Sequence, residues 1–82
     1  MKVQAEVSLY PLRTASLSEA IDRFLDRLRR RGLAVEVTPM STRLEGESGE
    51  IFQALREAFE AVAAGGSVVL TVKISNACPG AT

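Results

Sequence analysis

Hydrophobic and polar residues alternate along four stretches of this chain, a period typical of strands with one face on a core. The most regular stretch is residues 2–10, where Val3, Ala5 and Val7 fall on one side. Pro11 ends this strand, because proline cannot donate to a strand ladder. The same alternation predicts strands over residues 33–38, 42–47 and 68–75.

Apolar residues recur every three or four positions in two other stretches, which predicts two amphipathic helices. Ser16 and Glu19 fit a capping box before the first helix, and Ser48 is the predicted N-cap of the second. Gly32 and the pair Gly65-Gly66 follow these stretches and favour helix ends. The predicted apolar faces are Leu17, Ile21, Phe24, Leu25 and Leu28, then Ile51, Phe52, Leu55, Phe59 and Val62.

The order of these elements is βαββαβ, which predicts an α+β protein of the ferredoxin-like class. Such a fold has a four-stranded antiparallel sheet with two helices on one face. A chain of 82 residues is expected to form one domain, residues 1–82. The face without helices is predicted to carry Gln4, Glu6, Ser8, Tyr10, Glu36, Thr38, Arg43, Glu45, Val69, Thr71, Lys73 and Ser75.

Composition restricts the partners and the chemistry. Ten basic and ten acidic side chains cancel, so nucleic acid and membrane surfaces are not expected as partners. One cysteine and no histidine exclude a Cys/His zinc site and a Ser/His or Cys/His catalytic pair. We therefore expect no metal, no cofactor and no catalytic residues. The first residues contain no apolar run as long as a signal peptide or a membrane span, so we expect a cytoplasmic location.

The helix-free face alone allows two interpretations. It can be a solvated surface with weak cross-strand ion pairs, or a wet interface that encloses a polar ligand. RNA-recognition modules share this topology but need aromatic residues in the middle of the central strands. Here Tyr10 is the one aromatic residue on this face, at a strand end, so that alternative is weak.

Three segments carry a resemblance: Ala5-Glu-Val-Ser-Leu-Tyr-Pro-Leu12, Met40-Ser-Thr-Arg-Leu-Glu-Gly46 followed by Ile51-Phe52, and Ile74-Ser-Asn-Ala-Cys-Pro-Gly80. In order and spacing they resemble the thiamine/hydroxymethylpyrimidine-binding family of the YkoF type. In members with two copies of the module, the sheets of the repeats lie together. The single copy here implies self-association to a homodimer or homotetramer.

The resemblance implies that the ligand-binding residues are Glu6, Ser8, Tyr10, Ser41, Thr42, Phe52, Asn76 and Cys78. Tyr10 could stack on a ring of the ligand, and Glu6 could balance the positive charge of a thiazolium. Asn76 or a hydroxyl group could form hydrogen bonds with the amine and the ring nitrogen of the aminopyrimidine. Structural roles stay open for the same residues: Glu6 could pair with Lys73, and Phe52 could lie in the core.

The function implied is non-enzymatic binding of thiamine or its hydroxymethylpyrimidine moiety by a cytoplasmic carrier or salvage-linked protein. The alternative is an ACT-like structural or regulatory oligomerisation module that binds another small metabolite or none. A third reading is an enzyme that uses Cys78, for which the sequence contains no activating histidine.

Overall fold

A computed structural model describes residues 1–13 and 16–77 of the chain. Its elements confirm the predicted order and the ferredoxin-like α+β class. They are β1 (Lys2–Pro11), α1 (Leu17–Arg30), β2 (Ala34–Val37), β3 (Thr42–Glu47), α2 (Ser48–Ala63) and β4 (Val68–Ser75). No helix among the described residues is long and apolar enough to span a membrane.

The four strands form one antiparallel sheet in the order β2-β3-β1-β4. Strand β1 pairs with β3 through Ala5 and Leu44, and with β4 through Ala5 and Ile74. Because residues directly opposite one another share a face, this register aligns the apolar positions of all four strands. We call the end of the sheet where β1 begins the lower end, and the end near Tyr10 the upper end.

The core lies between this aligned face and the two helices. Its largest fully buried side chains are Val7, Phe24, Leu28, Leu44 and Ile51. Every one of them lies at a position that the sequence periodicity assigned to a core face. Among residues 1–13 and 16–77, the opposite face of the sheet carries no helix, as predicted.

The packing of α2 corrects one predicted apolar position. Phe52 lies on the outer side of the helix and is 58% exposed, whereas Ala54 and Ala58 are fully buried. Phe52 is one position, about 100°, around the helix from the buried Ile51, and that rotation turns it out of the core. The small side chains of Ala54 and Ala58 take the buried positions on α2 instead.

Arg31 joins the end of α1 to α2. Its guanidinium lies 3.4 Å from a carboxylate oxygen of Glu50 and 3.6 Å from one of Glu57. The neighbouring Arg30 pairs with Asp26 at 2.9 Å on the exposed side of α1. These contacts indicate that the arginine-rich segment has a structural role, at the end of α1 and in its contact with α2.

Two glycines provide a matched test of the turn after α1. Gly32 has a φ of +77° with no atom within 4 Å of an added Cβ, so Gly32→Ala meets only backbone strain, about 1–2 kcal/mol. Gly49 has equal space but is the second residue of α2, so Gly49→Ala should stabilise by up to about 0.5 kcal/mol. Urea denaturation measures both; shifts of the same sign would contradict this account of the turn.

Candidate functional site

The register arranges the helix-free face in rows that run across the sheet. The middle row is Lys73, Glu6, Arg43 and Glu36, one residue from each strand, and we call it the charged row. The row nearer the lower end is Ser75, Gln4, Glu45 and Ala34. Charge alternates in sign at every step of the charged row, so each side chain has only opposite charges beside it.

Arg43 lies at the centre of the ion pairs in this row. Its Nε is 3.9 Å from Oε2 of Glu6, and its terminal nitrogen is 3.8 Å from Oε1 of Glu36. The expected alternative partner of Glu6, Lys73, lies directly opposite on β4 but makes no ion pair within 4 Å among the described residues. Glu6 has cationic neighbours on both sides, and its carboxylate is nearer to the arginine.

The neighbouring row is less charged and leaves space. Gln4 donates a hydrogen bond from Nε2 to Oε2 of Glu45 at 3.1 Å. Ala34, at the end of this row, has only a methyl side chain and cannot fill the space beside Glu45. The longer side chains around it therefore enclose a depression on the sheet.

This depression is a cavity of about 490 Å³, within the usual range for small-molecule sites. Its charged lining consists of three carboxylates and two cations, which leaves one net negative charge. The lining residues are Gln4, Ala5, Glu6, Ala34, Val35, Glu36, Arg43, Leu44, Glu45, Lys73 and Ser75. The arrangement suits a polar ligand with a positive charge.

Towards the upper end the face changes character. Ser8 lies opposite Thr71, and Tyr10 lies opposite Val69, on the part of β1 and β4 that extends beyond β3. Tyr10 is 52% exposed. Along β1, Tyr10 is four residues from Glu6, about 13 Å at ~3.3 Å per residue. Glu6, Ser8 and Tyr10 thus form one line on the open face.

Two of the residues that the resemblance implied, Ser41 and Thr42, lie where the bend after β2 leads into β3. Ser41 is held in the bend between β2 and β3, where its backbone N–H donates to Oγ1 of Thr38 at 3.0 Å. Thr42 lies opposite Val7, and so points to the helix-covered side of the sheet. Within one chain, Thr42 and Glu6 are on opposite faces.

Phe52 is also separated from the open face, because α2 lies on the other side of the sheet. Around it the outer surface of α2 carries Gln53, Arg56, Glu57 and Glu60. Within one chain, the structure does not bring Phe52 together with Glu6 or Tyr10.

Asn76 lies at the lower end, beyond the pair Gln4 and Ser75, and far from Tyr10. Its Nδ2 is 3.9 Å from the sulfur of Met1. The Met1 ammonium donates to Oε2 of Glu47 at 2.8 Å, and this hydrogen bond lowers the pKa of that carboxyl group. Cys78 lies outside the described residues.

Residues that sequence reasoning placed on this face, but not in the predicted ligand set, line most of the cavity. Glu36, Arg43, Glu45 and Lys73 each had a simpler interpretation as solvated or paired side chains. The signal that identifies them is the cross-strand register, which needs both the strand order and the exact pairing.

Comparisons with known proteins agree with this architecture. Residues 5–78 match the family described as "Thiamine-binding protein". UPF0045 protein MJ1052 of Methanocaldococcus jannaschii is 40% identical over 62 residues, which cover 74% of this chain. That alignment spans 62% of the relative, less than two thirds of its length.

Solved structures extend the likeness to the whole fold. The crystal structure of MJ1052 has a TM-score of 0.85 at 36% identity and covers 95% of this chain and 82% of that one. A Thermotoga maritima protein named "putative thiamine biosynthesis/salvage protein (TM0486)" has a TM-score of 0.82 at 28% identity, with coverage of 92% and 83%. The predicted family is thereby confirmed: this chain belongs to the thiamine-binding protein family, UPF0045.

Proposed function

We propose that this chain binds thiamine or its hydroxymethylpyrimidine moiety without converting it, as a cytoplasmic carrier or salvage-linked protein. The observation that carries the proposal is the cavity on the helix-free face, with its net negative charge and with Tyr10 farther along β1. The family description and the name of the T. maritima relative indicate the same class of ligand.

The charged row supplies the electrostatic part of this site. Thiamine carries its permanent positive charge on the thiazolium ring. Glu6 and Glu36 present carboxylates to the cavity, and both are solvent-accessible. A cation over this row gains attraction without the cost of a fully buried charge.

The hydroxyl groups of Ser8 and Thr71 and the ring of Tyr10, nearer the upper end of the sheet, supply the hydrogen-bonding and stacking part of the site. Ser8 and Thr71 face one another, and their hydroxyl groups can both donate and accept. These groups match an aminopyrimidine edge, which has an amine donor beside a ring-nitrogen acceptor. Tyr10 lies one row farther and can stack on a ring of the ligand.

Self-association to a homodimer or homotetramer is part of the proposal. Tyr10 and Val69 are adjacent, large and exposed on the open face. A small domain gains stability when such residues are covered by a second copy. A partner subunit could also bring its own Asn76, Phe52 or bend residues to this site, which one chain does not do.

Glu6→Gln should weaken thiamine binding about five- to tenfold, the effect of an exposed charge pair worth roughly 1 kcal/mol. Binding of the uncharged hydroxymethylpyrimidine should change little. Isothermal calorimetry measures both affinities, and Glu60→Gln on the outer surface of α2 is the matched control. If neither ligand produces heat or a thermal shift at millimolar concentration, the proposed function is wrong.

Two alanine substitutions, Tyr10→Ala and Thr42→Ala, distinguish the proposed site from the ACT-like alternative when ligand-dependent thermal stabilisation is measured. Tyr10→Ala should reduce ligand-dependent thermal stabilisation because it removes the stacking surface. Thr42→Ala should preserve it, because Thr42 points to the helix-covered side. A scaffold that binds neither thiamine nor its pyrimidine would show no stabilisation to lose. If only Thr42→Ala lost the ligand-dependent stabilisation, the binding site would be at the bend before β3 and not beside Tyr10.

A further inference from the structure

Arg43 occupies the middle of the charged row but is loosely held. Its contacts with Glu6 and Glu36 are 3.9 and 3.8 Å, longer than hydrogen bonds, and its side chain is 64% exposed. Charge attraction, without directional bonds, therefore keeps the guanidinium between the two carboxylates. Pairs of this kind are weak and exchange readily with other ions.

The carboxylates that Arg43 neutralises are those that would face a cationic ring. With Arg43 in place, both Glu6 and Glu36 already have a positive partner. An incoming cation must share or displace that partner, since two cations beside the same carboxylate repel one another. The remaining cation of the cavity, Lys73, makes no such pair within 4 Å among the residues that the structure describes.

From this geometry, and resting on the proposed function, we infer that Arg43 is a built-in competitor of the cationic ligand. It occupies the position between Glu6 and Glu36 that the cation of the ligand would take, and the cost of its displacement sets the affinity. An uncharged pyrimidine does not need that position, so its binding is independent of Arg43. The residue thus decides how strongly the site prefers thiamine over its uncharged moiety.

The inferred role predicts a change in affinity opposite in sign to the change expected for a residue that contacts the ligand. Removing a residue that contacts the ligand weakens binding, whereas removing a competitor strengthens it. The competitor also keeps the carboxylates paired in the empty protein, where three acidic groups would otherwise face a single lysine. A carrier with such a residue holds its cargo less tightly and releases it faster.

Arg43→Gln tests the inference, because glutamine retains a polar side chain without the charge. By calorimetry in low salt, its thiamine affinity should rise about three- to tenfold, while hydroxymethylpyrimidine affinity stays within about twofold. Arg43→Lys should resemble the native protein. Arg56→Gln is the matched control, because Arg56 forms an exposed ion pair with Glu60 at 3.4 Å, away from the open face.

A double variant separates charge from shape. Arg43→Gln with Glu36→Gln restores the net charge of the row and should return thiamine affinity close to the native value. Higher salt should reduce the gain seen in Arg43→Gln, because exposed charges are screened. Thermal unfolding of each variant verifies that it is folded, and the double variant supplies the comparison if the single one is unstable.

The possible outcomes separate the inference from the proposed function. Binding of neither ligand by the native protein overturns both. Thiamine binding that is unchanged or weaker in Arg43→Gln overturns the inference alone and leaves the proposed function in place. Weaker binding of both ligands identifies Arg43 as a direct contact, which also overturns it.

Discussion

The central position of β1 in the sheet is the constraint on which both the core and the candidate site depend. The strand pairs along one edge with β3 and along the other with β4. Its alternate residues Val3, Ala5 and Val7 are buried beneath the helices. The residues between them in sequence, Gln4 and Glu6, face the cavity on the other side of the sheet. A shift of one residue would put charges in the core and valines in the cavity, so the hydrophobic core itself fixes the position of the site.

The charged row follows directly from that pairing. Four side chains, one from each strand, meet at one level of the sheet, with alternating signs. Each pair is exposed and contributes little to stability, so the row can change partners without loss of the fold. The fold derives its stability from the opposite face, which leaves this one available for a ligand. That division explains how a chain of 82 residues can contain both a core and an open cavity.

Much of the fold could be predicted because each element has a clear period. The alternation in β1 assigned its inner face correctly. The three- and four-residue spacing in α1 identified the buried Phe24, Leu25 and Leu28, but Leu17 and Ile21 near the start of the helix are 51% and 36% exposed. Phe52 shows the limit, since hydrophobicity favoured it for the core while the structure buries Ala54 in its place. Which of the two is buried depends on how α2 packs in the folded chain, and the local sequence pattern does not specify that packing. Of the predicted ligand residues, Glu6, Ser8 and Tyr10 share the open face, whereas Thr42 and Phe52 do not.

The sequence by itself determined the order of the elements, the face to which each strand residue points and the family. These properties follow from short-range periods and from motifs that stay together along the chain. Only the tertiary structure decided which residues are neighbours across the sheet. Glu6 has a cation opposite it on each side, and the structure pairs it with Arg43, leaving Lys73 beyond ion-pair distance. A residue's period defines its direction relative to its own strand, but its partners depend on the register and packing of strands distant in sequence.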